Sequence, residues 1–225
     1  MNLVYARRGV SKSALVYEDL LAAIIRLALK PGARIDKHEV CQRLGVSRQP
    51  VAEAVARLAD ERLIVVEPQK GTFVARIRLT DVAEAAFLRR ALETATAAAI
   101  ARGIDDTALQ QLERILRYQT LAAKTSDTEE FYALDLRFHS TLIDRLAMPR
   151  VAEVIGSSRA QLERARRLLL PTPGRTQNTL REHHTIVTAL ASRDPVAAAG
   201  ALGDHLDAAM AELRRFAAKQ PDLFE

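Results

Sequence analysis

From Thr80 to the C-terminus no stretch alternates apolar and polar residues as a half-buried strand must. Instead, helix breakers divide this region into six segments of helical length. They cover about 80–102 before Gly103, 106–124, 127–146 before Pro149, 150–170 before Pro171-Thr172-Pro173-Gly174, 175–192, and 195–218 opened by Asp194-Pro195. The spacing predicts an all-helical bundle of six helices over residues 79–225.

The first third reads differently. Residues 14–29 place Leu20, Ile24 and Leu27 at helical spacing and stop at Pro31-Gly32. Asp36 stands three residues before Glu39, a capping-box arrangement for a short helix over 37–44, and Gly45 can take the positive φ of a tight turn. Ser47 caps a third helix whose Pro50 falls in the first turn and whose Val51, Val55 and Leu58 form the buried stripe. Two β-rich pieces, Ile64–Glu67 and Thr72–Arg76, are joined by Pro68-Gln69-Lys70-Gly71 as a hairpin. Helix, helix, turn, helix and hairpin over residues 1–78 make a winged helix-turn-helix. The whole is a mainly α chain with one small β-hairpin.

Charge separates the same two regions. Residues 1–78 hold 14 Lys/Arg against 8 Asp/Glu, whereas residues 79–225 hold 19 against 20. The excess positive charge therefore lies wholly in the first region, as expected where a chain meets the polyanion DNA. Aromatic residues make up 4% of the chain and Trp is absent, so there is no platform for stacking single-stranded bases. Apolar runs such as Leu20 to Ile25 fall far short of the roughly 20 residues that span a bilayer. The stretch Met1 to Gly9 has positive charge but no apolar run after it, and Cys41 stands alone, so the cytoplasm is the expected compartment.

A helix-turn-helix places the start of its second helix in the major groove, where side chains read base edges. That start is Ser47-Arg48-Gln49. Arg48 can pair bidentately with guanine and Gln49 with adenine, while Ser47 can bond a phosphate. Lys37 and His38 open the preceding helix toward the backbone or a base, Arg57 adds positive charge farther along, and Lys70-Gly71-Thr72 at the hairpin tip can enter the minor groove.

In the second region Asp135 and His139 are four apart and share a helix face with Phe138 and Leu142, which turns them inward. His183 precedes Ile186, Val187 and Leu190 on an apolar stripe, whereas His184 points toward Thr188 and Ala191. His205 lies on the buried face of the last helix with Leu202 and Ala209. Any one of these histidines alone reads as an ordinary core or surface residue. Three inward imidazoles and one carboxylate from three helices invite a divalent metal, zinc first, with nickel, manganese or iron as alternatives.

Several residues resemble a known pattern. Lys30-Pro31-Gly32, Leu44 through Val51 with Glu53-Ala54 and Arg57-Leu58, and Gly71-Thr72-Phe73-Val74 are similar to the winged helix-turn-helix of GntR-superfamily bacterial transcription regulators. The helical remainder resembles the FCD effector domain of the FadR subfamily, so the likeness covers roughly residues 14–215. Its pattern of Asp-x3-His, Glu-His and a final-helix His implies a metal site at Asp135, His139, His183 and His205. The resemblance also implies a small organic acid as effector, with Arg89 in Leu88-Arg89-Arg90 and, more weakly, Arg159 facing the acid's carboxylate. A homodimer on a palindromic double-stranded operator follows from the two-fold symmetry of such DNA, with no membrane partner.

Two positions depart from the family. Ala52 stands where an operator-contacting Arg is usual, which removes about 1–3 kcal/mol of discrimination or passes it to Gln49 or His38. Arg62 stands where the family places Gly; a left-handed Arg62 would cost on the order of 1 kcal/mol, and the alternative is that the helix runs through it and aims it at a phosphate. Against a metalloenzyme, the chain has no His-Glu-x-x-His motif, and Glu182 beside His183 is the only carboxylate that the sequence places near the ligands. A nucleic-acid binder without effector would need no buried His/Asp set.

Overall fold

The computed structural model describes residues 11–157, 159–169, 172 and 174–225. The Met1 to Gly9 stretch, Pro171, Pro173 and the Arg159 side chain, all used in reading the sequence, lie outside the described residues. The chain divides into two units, Met1–Ile77 with Asp222–Glu225, and Arg78–Pro221.

In the first unit, helices α1 (Lys12–Ile25), α2 (Lys37–Leu44) and α3 (Arg48–Asp60) are followed by an antiparallel hairpin of β1 (Ile64–Glu67) and β2 (Gly71–Val74). Helix α1 ends four residues sooner than its apolar spacing predicts. Leu27 is left-handed, with φ 59°, and breaks the i to i−4 ladder before Pro31 is reached. The Asp36 carboxylate accepts from the backbone of His38 and Glu39 and so starts α2, and Gly45, at φ 63°, ends it. Val16, Leu20, Val51, Val55 and Leu58 form the interior between α1 and α3.

Two features of this unit are absent from the sequence reading. The extended residues 32–35 run beside β2, exchanging Gly32 N to Val74 O, Val74 N to Ala33 O and Ile35 N to Thr72 O bonds of 2.8–2.9 Å, so the hairpin has a backing strand segment. The last residues also return here. Ile77 N donates to Leu223 O and Glu225 N to Ile77 O, both at 3.0 Å, and Phe224 is buried.

The second unit is all helical: α4 (Leu79–Ala101), α5 (Asp106–Lys124), α6 (Thr128–Leu146), α7 (Pro149–Ser157), α8 (Arg159–Leu169), α9 (Arg175–Ala191) and α10 (Pro195–Lys219). Among the described residues this unit has seven helices rather than six. The segment expected as one helix over 150–170 is described as α7 and α8, on either side of residue 158, which lies outside the described residues. The core joins α4, α5, α6, α9 and α10 through Ile100, Leu112, Leu116, Phe138, Leu190 and Leu202.

Helix ends in this unit are set by short side chains. Asp105 accepts from Ala108 N at 2.7 Å to cap α5, and Asp194 accepts from Val196 N and Ala197 N to cap α10 behind Pro195. Asp105 also meets Arg145 at 3.2 Å on an exposed surface, where an ion pair contributes little. Asp105→Ala will therefore cost about 1 kcal/mol of stability, while Asp105→Asn, which keeps the cap and loses the charge, will stay within about 0.5 kcal/mol of the parent in urea unfolding.

Candidate functional site

The side chains of Asp135, His139, His183 and His205 meet inside the helical unit. Helix α6 supplies Asp135 and His139 one turn apart, α9 supplies His183 and α10 supplies His205. One ligand atom from each lies within 4.8 Å of every other, and all four residues are buried. His184, the neighbour that the helical spacing turns away, is exposed.

Each imidazole is held from its Nδ1 side by an oxygen. His139 Nδ1 lies 2.9 Å from Glu93 Oε2, His183 Nδ1 lies 2.9 Å from Gln119 Oε1, and His205 Nδ1 lies 2.7 Å from Glu182 Oε2. A carboxylate or amide oxygen only accepts, so each ring donates from Nδ1 and keeps a lone pair on Nε2. Those lone pairs face one another. His139 Nε2 and His205 Nε2 are 3.3 Å apart, His183 Nε2 is 3.6 Å from Asp135 Oδ1, and His183 Nε2 is buried with no hydrogen-bond partner among the described residues. Phe138 stacks on the His183 ring at 4.1 Å and fixes its plane.

Burial pushes all three imidazoles toward the neutral form, His205 down to about 3 and His139 and His183 well below the ordinary histidine value. Burial alone would raise Asp135, but the Arg166 guanidinium and the imidazoles around it hold its carboxyl well below the usual carboxylate range. Three neutral rings with converging Nε2 lone pairs and one ionised carboxylate form a set of electron-pair donors that can ligate a cation. The buried His/Asp cluster can hold a metal ion, and its nitrogen and oxygen donors suit a first-row divalent ion.

Beside the cluster, α4, α6, α7 and α8 enclose a cavity of about 180 Å³. Arg89, Glu93, His139 and Arg166 line it, together with polar Ser140, Asp144 and Glu163 and apolar Ile155 and Leu162. Arg89 does line this space, but its Nε donates to Glu93 Oε1, and Arg166 donates to Asp135 Oδ2. Neither guanidinium is an uncompensated charge. Arg166, seven residues after Arg159, was missed in the sequence. Glu93 and Gln119 were missed as well, and Glu182 was placed near the ligands but not on His205. Glu182 diverges from its neighbour His183, as adjacent helical residues must, and reaches His205 on the next helix. Glu93 is a second carboxylate at the cluster, which corrects the expectation that Glu182 would be the only one.

The basic residues expected on DNA lie in the first unit. Lys37, His38, Ser47, Arg48 and Gln49 are exposed at the starts of α2 and α3. Ser47 occupies the N-cap of α3, yet its hydroxyl makes no cap bond. Gln49 donates to Glu53 at 3.0 Å, and His38 meets Gln42. At the hairpin tip Lys70 is exposed and pairs with Glu67, and Gly71 takes φ 134° where an added Cβ would come within 3.3 Å of Arg34 Nε.

Thr72 departs from expectation, Arg57 is exposed but engaged, and of the two readings of Arg62 the left-handed one holds. Thr72 is only 1% exposed, because alternation in β2 turns its side chain inward, so its hydroxyl does not project from the wing. Arg57 stacks over Tyr17 at 3.6 Å and pairs with Glu61, to which Tyr17 also donates, so it braces α3 against α1. Arg62 does not continue α3, which ends at Asp60; Arg62 is left-handed at φ 58°, accepting the strain that Gly would avoid.

With the geometry established, the chain can be compared with known proteins. Residues 84–208 match the FCD domain, and residues 12–74 match the family described as bacterial regulatory proteins, gntR family. The HTH-type transcriptional repressor RspR of Escherichia coli (strain K12) is 31% identical over 209 residues, covering 93% of this chain and 92% of that protein. An HTH-type transcriptional regulator in an unstable DNA locus of Streptomyces ambofaciens is 34% identical over 209 residues, covering 93% and 88%. Among solved structures, a GntR transcriptional regulator from Rhodococcus sp. RHA1 superposes with a TM-score of 0.76 at 27% identity, covering 91% of this chain and 98% of that one.

Proposed function

Because the chain belongs to the gntR family of bacterial regulatory proteins and carries an FCD domain, we propose that it is an acid-responsive repressor of transcription. Its relatives are DNA-binding transcription regulators and not enzymes. Two copies dock their first units on a palindromic operator, since two-fold DNA is read by a two-fold protein. Arg48 and Gln49 face base edges, Ser47, Lys37 and His38 face the backbone, and Lys70 with Gly71 enters the minor groove. The cytoplasm, where the operator lies, is the compartment of action; among the described residues no helix is long and apolar enough to cross a membrane.

Asp135, His139, His183 and His205 hold a divalent ion, with zinc as the leading choice for a set of three imidazoles and one carboxylate. When bound, such an ion offers a positive coordination point for the carboxylate of a small organic acid. Arg89 lines the adjacent cavity and orients that carboxylate through its planar guanidinium. The observation that carries this reading is the convergence of three Nε2 lone pairs and one carboxylate oxygen beside a cavity lined by Arg89 and His139.

For an acid to act as a switch it must bind the two arrangements of the protein unequally, and a coupling of about 1–3 kcal/mol changes operator affinity about 5–150-fold. Fluorescence anisotropy with duplexes from the DNA flanking its own gene tests this. A panel of small carboxylic acids should include one that shifts affinity within that range when metal is present and not after chelation. Equal affinity across all acids, with and without chelator, would falsify the switch and favour a binder without effector.

A further inference from the structure

Glu93 touches both halves of the site. Its Oε1 accepts from Arg89 Nε in the cavity wall, and its Oε2 accepts from His139 Nδ1 at 2.9 Å on the ring whose Nε2 faces the cluster. The carboxylate is 2% exposed and lines the same cavity as both partners. Both partners are donors, one a cation and one a neutral ring, so the negative charge of Glu93 is divided between them.

We propose that Glu93 is a positioning residue that couples anion binding in the cavity to cation binding at the cluster. A carboxylate that takes the Arg89 guanidinium competes with Glu93 for it. The charge of Glu93 then falls more fully on His139 Nδ1, which makes that ring a stronger donor through Nε2. Linkage makes the effect mutual, so an occupied cation site also tightens the hold on the anion. The cavity of about 180 Å³ limits the anion to a small carboxylic acid, and its lining mixes apolar Ile155 and Leu162 with polar Ser140, Asp144 and Glu163.

The inference rests on the proposed function in needing a divalent ion at the cluster, and the two fail differently. The arrangement also explains why a carboxylate stands at position 93. Glutamine offers one oxygen and one NH2 group, so between two donors it must leave one contact donor against donor.

The experiment is a Co²⁺ titration of chelator-stripped full-length protein, followed by visible absorption, for the wild type, Glu93→Gln, Arg89→Met and the double variant, with acetate as the probe anion. Far-UV circular dichroism checks that each folds. Glu93→Gln should weaken Co²⁺ binding about 10–100-fold, as loss of an outer partner does. In the double variant the glutamine oxygen no longer has to serve Arg89 and can turn to His139, so binding should return to within about tenfold of wild type. Acetate should tighten Co²⁺ binding of the wild type about fivefold or more and leave Arg89→Met unchanged.

Glu93→Gln binding as tightly as wild type, a double variant no better than Glu93→Gln, or an equal acetate effect on Arg89→Met each overturns the coupling. Should Glu93→Gln alone fail to fold, the double variant decides by the same tenfold criterion. A wild-type protein that takes up no Co²⁺ overturns the metal reading as well, whereas normal uptake with any of the contrary variant results overturns the coupling alone.

Discussion

At the proposed metal site, His183→Ala will abolish binding of a divalent ion. His183 is fully buried, its Nδ1 is held by Gln119, its ring is stacked on Phe138, and its Nε2 has no acceptor or donor to satisfy it among the described residues. Losing an outer partner of a ligand costs about 10–100-fold in affinity, and losing the ligand itself will cost more than about 100-fold. Elemental analysis after dialysis against metal-free buffer should find the ion in the wild type and none in the variant. A melting experiment gives a second readout. An ion at 100 times its dissociation constant adds about 2.7 kcal/mol to the folded form, so added metal should raise the wild-type Tm and leave His183→Ala where it was.

Asp135→Asn, which keeps the shape and removes the charge, should behave like His183→Ala even where the alanine variant is poorly packed. His184→Ala, on the exposed side of the same helix, should keep its metal. Full metal content in both His183→Ala and Asp135→Asn would mean that the cluster is a satisfied polar core and nothing more.

The second large effect is expected on DNA. Arg48 and Gln49 stand exposed in the first turn of α3, and a good bidentate base contact contributes about 1–3 kcal/mol of discrimination. On a palindrome each substitution acts at both half-sites, so Arg48→Ala should cost about 2–6 kcal/mol on the specific duplex, 30-fold in affinity at the least. The same change should matter far less on a random duplex, where phosphates supply the binding. Lys70→Ala, at a wing whose ammonium meets the phosphates bordering the minor groove, should weaken both duplexes alike and reduce the slope of log affinity against log salt by about one phosphate contact per half-site. Anisotropy at several salt concentrations separates the two cases. An Arg48→Ala protein that loses the same factor on specific and random DNA has lost a phosphate contact, and base reading must then be sought elsewhere on α2 and α3.

Local chemistry carries some elements of this protein and not others. Helix α5 runs over 106–124 as read, because Asp105 caps it and its apolar residues keep helical register. The start of α2 follows from Asp36 and its end from Gly45 for the same kind of reason. Helix α1 is shorter than its periodicity, since Leu27 and the return of the chain toward β2 prevail over local propensity. The buried Thr72 shows the limit in the other direction: the tip of a hairpin reads as exposed, but the backing segment at 32–35 and the pleat of β2 decide which side chains face in.

The four cluster residues could be picked from helical spacing because each lies on the apolar stripe of its own helix. Their outer partners could not. Glu93 lies 46 residues from His139, Gln119 lies 64 from His183, and Glu182 lies 23 from His205, and in each case a polar residue on one helix is made a partner only by the packing of another. By itself the chain's order of residues determined the helix-turn-helix, the helical bundle and the inward faces of Asp135, His139, His183 and His205, all consequences of period, caps and breakers acting within a few turns. Tertiary packing alone decided which oxygen orients each ring, that Arg166 is already paired with Asp135, and that Arg57 stacks on Tyr17. Those contacts join distant segments, and burial in a low-dielectric interior makes each of them matter.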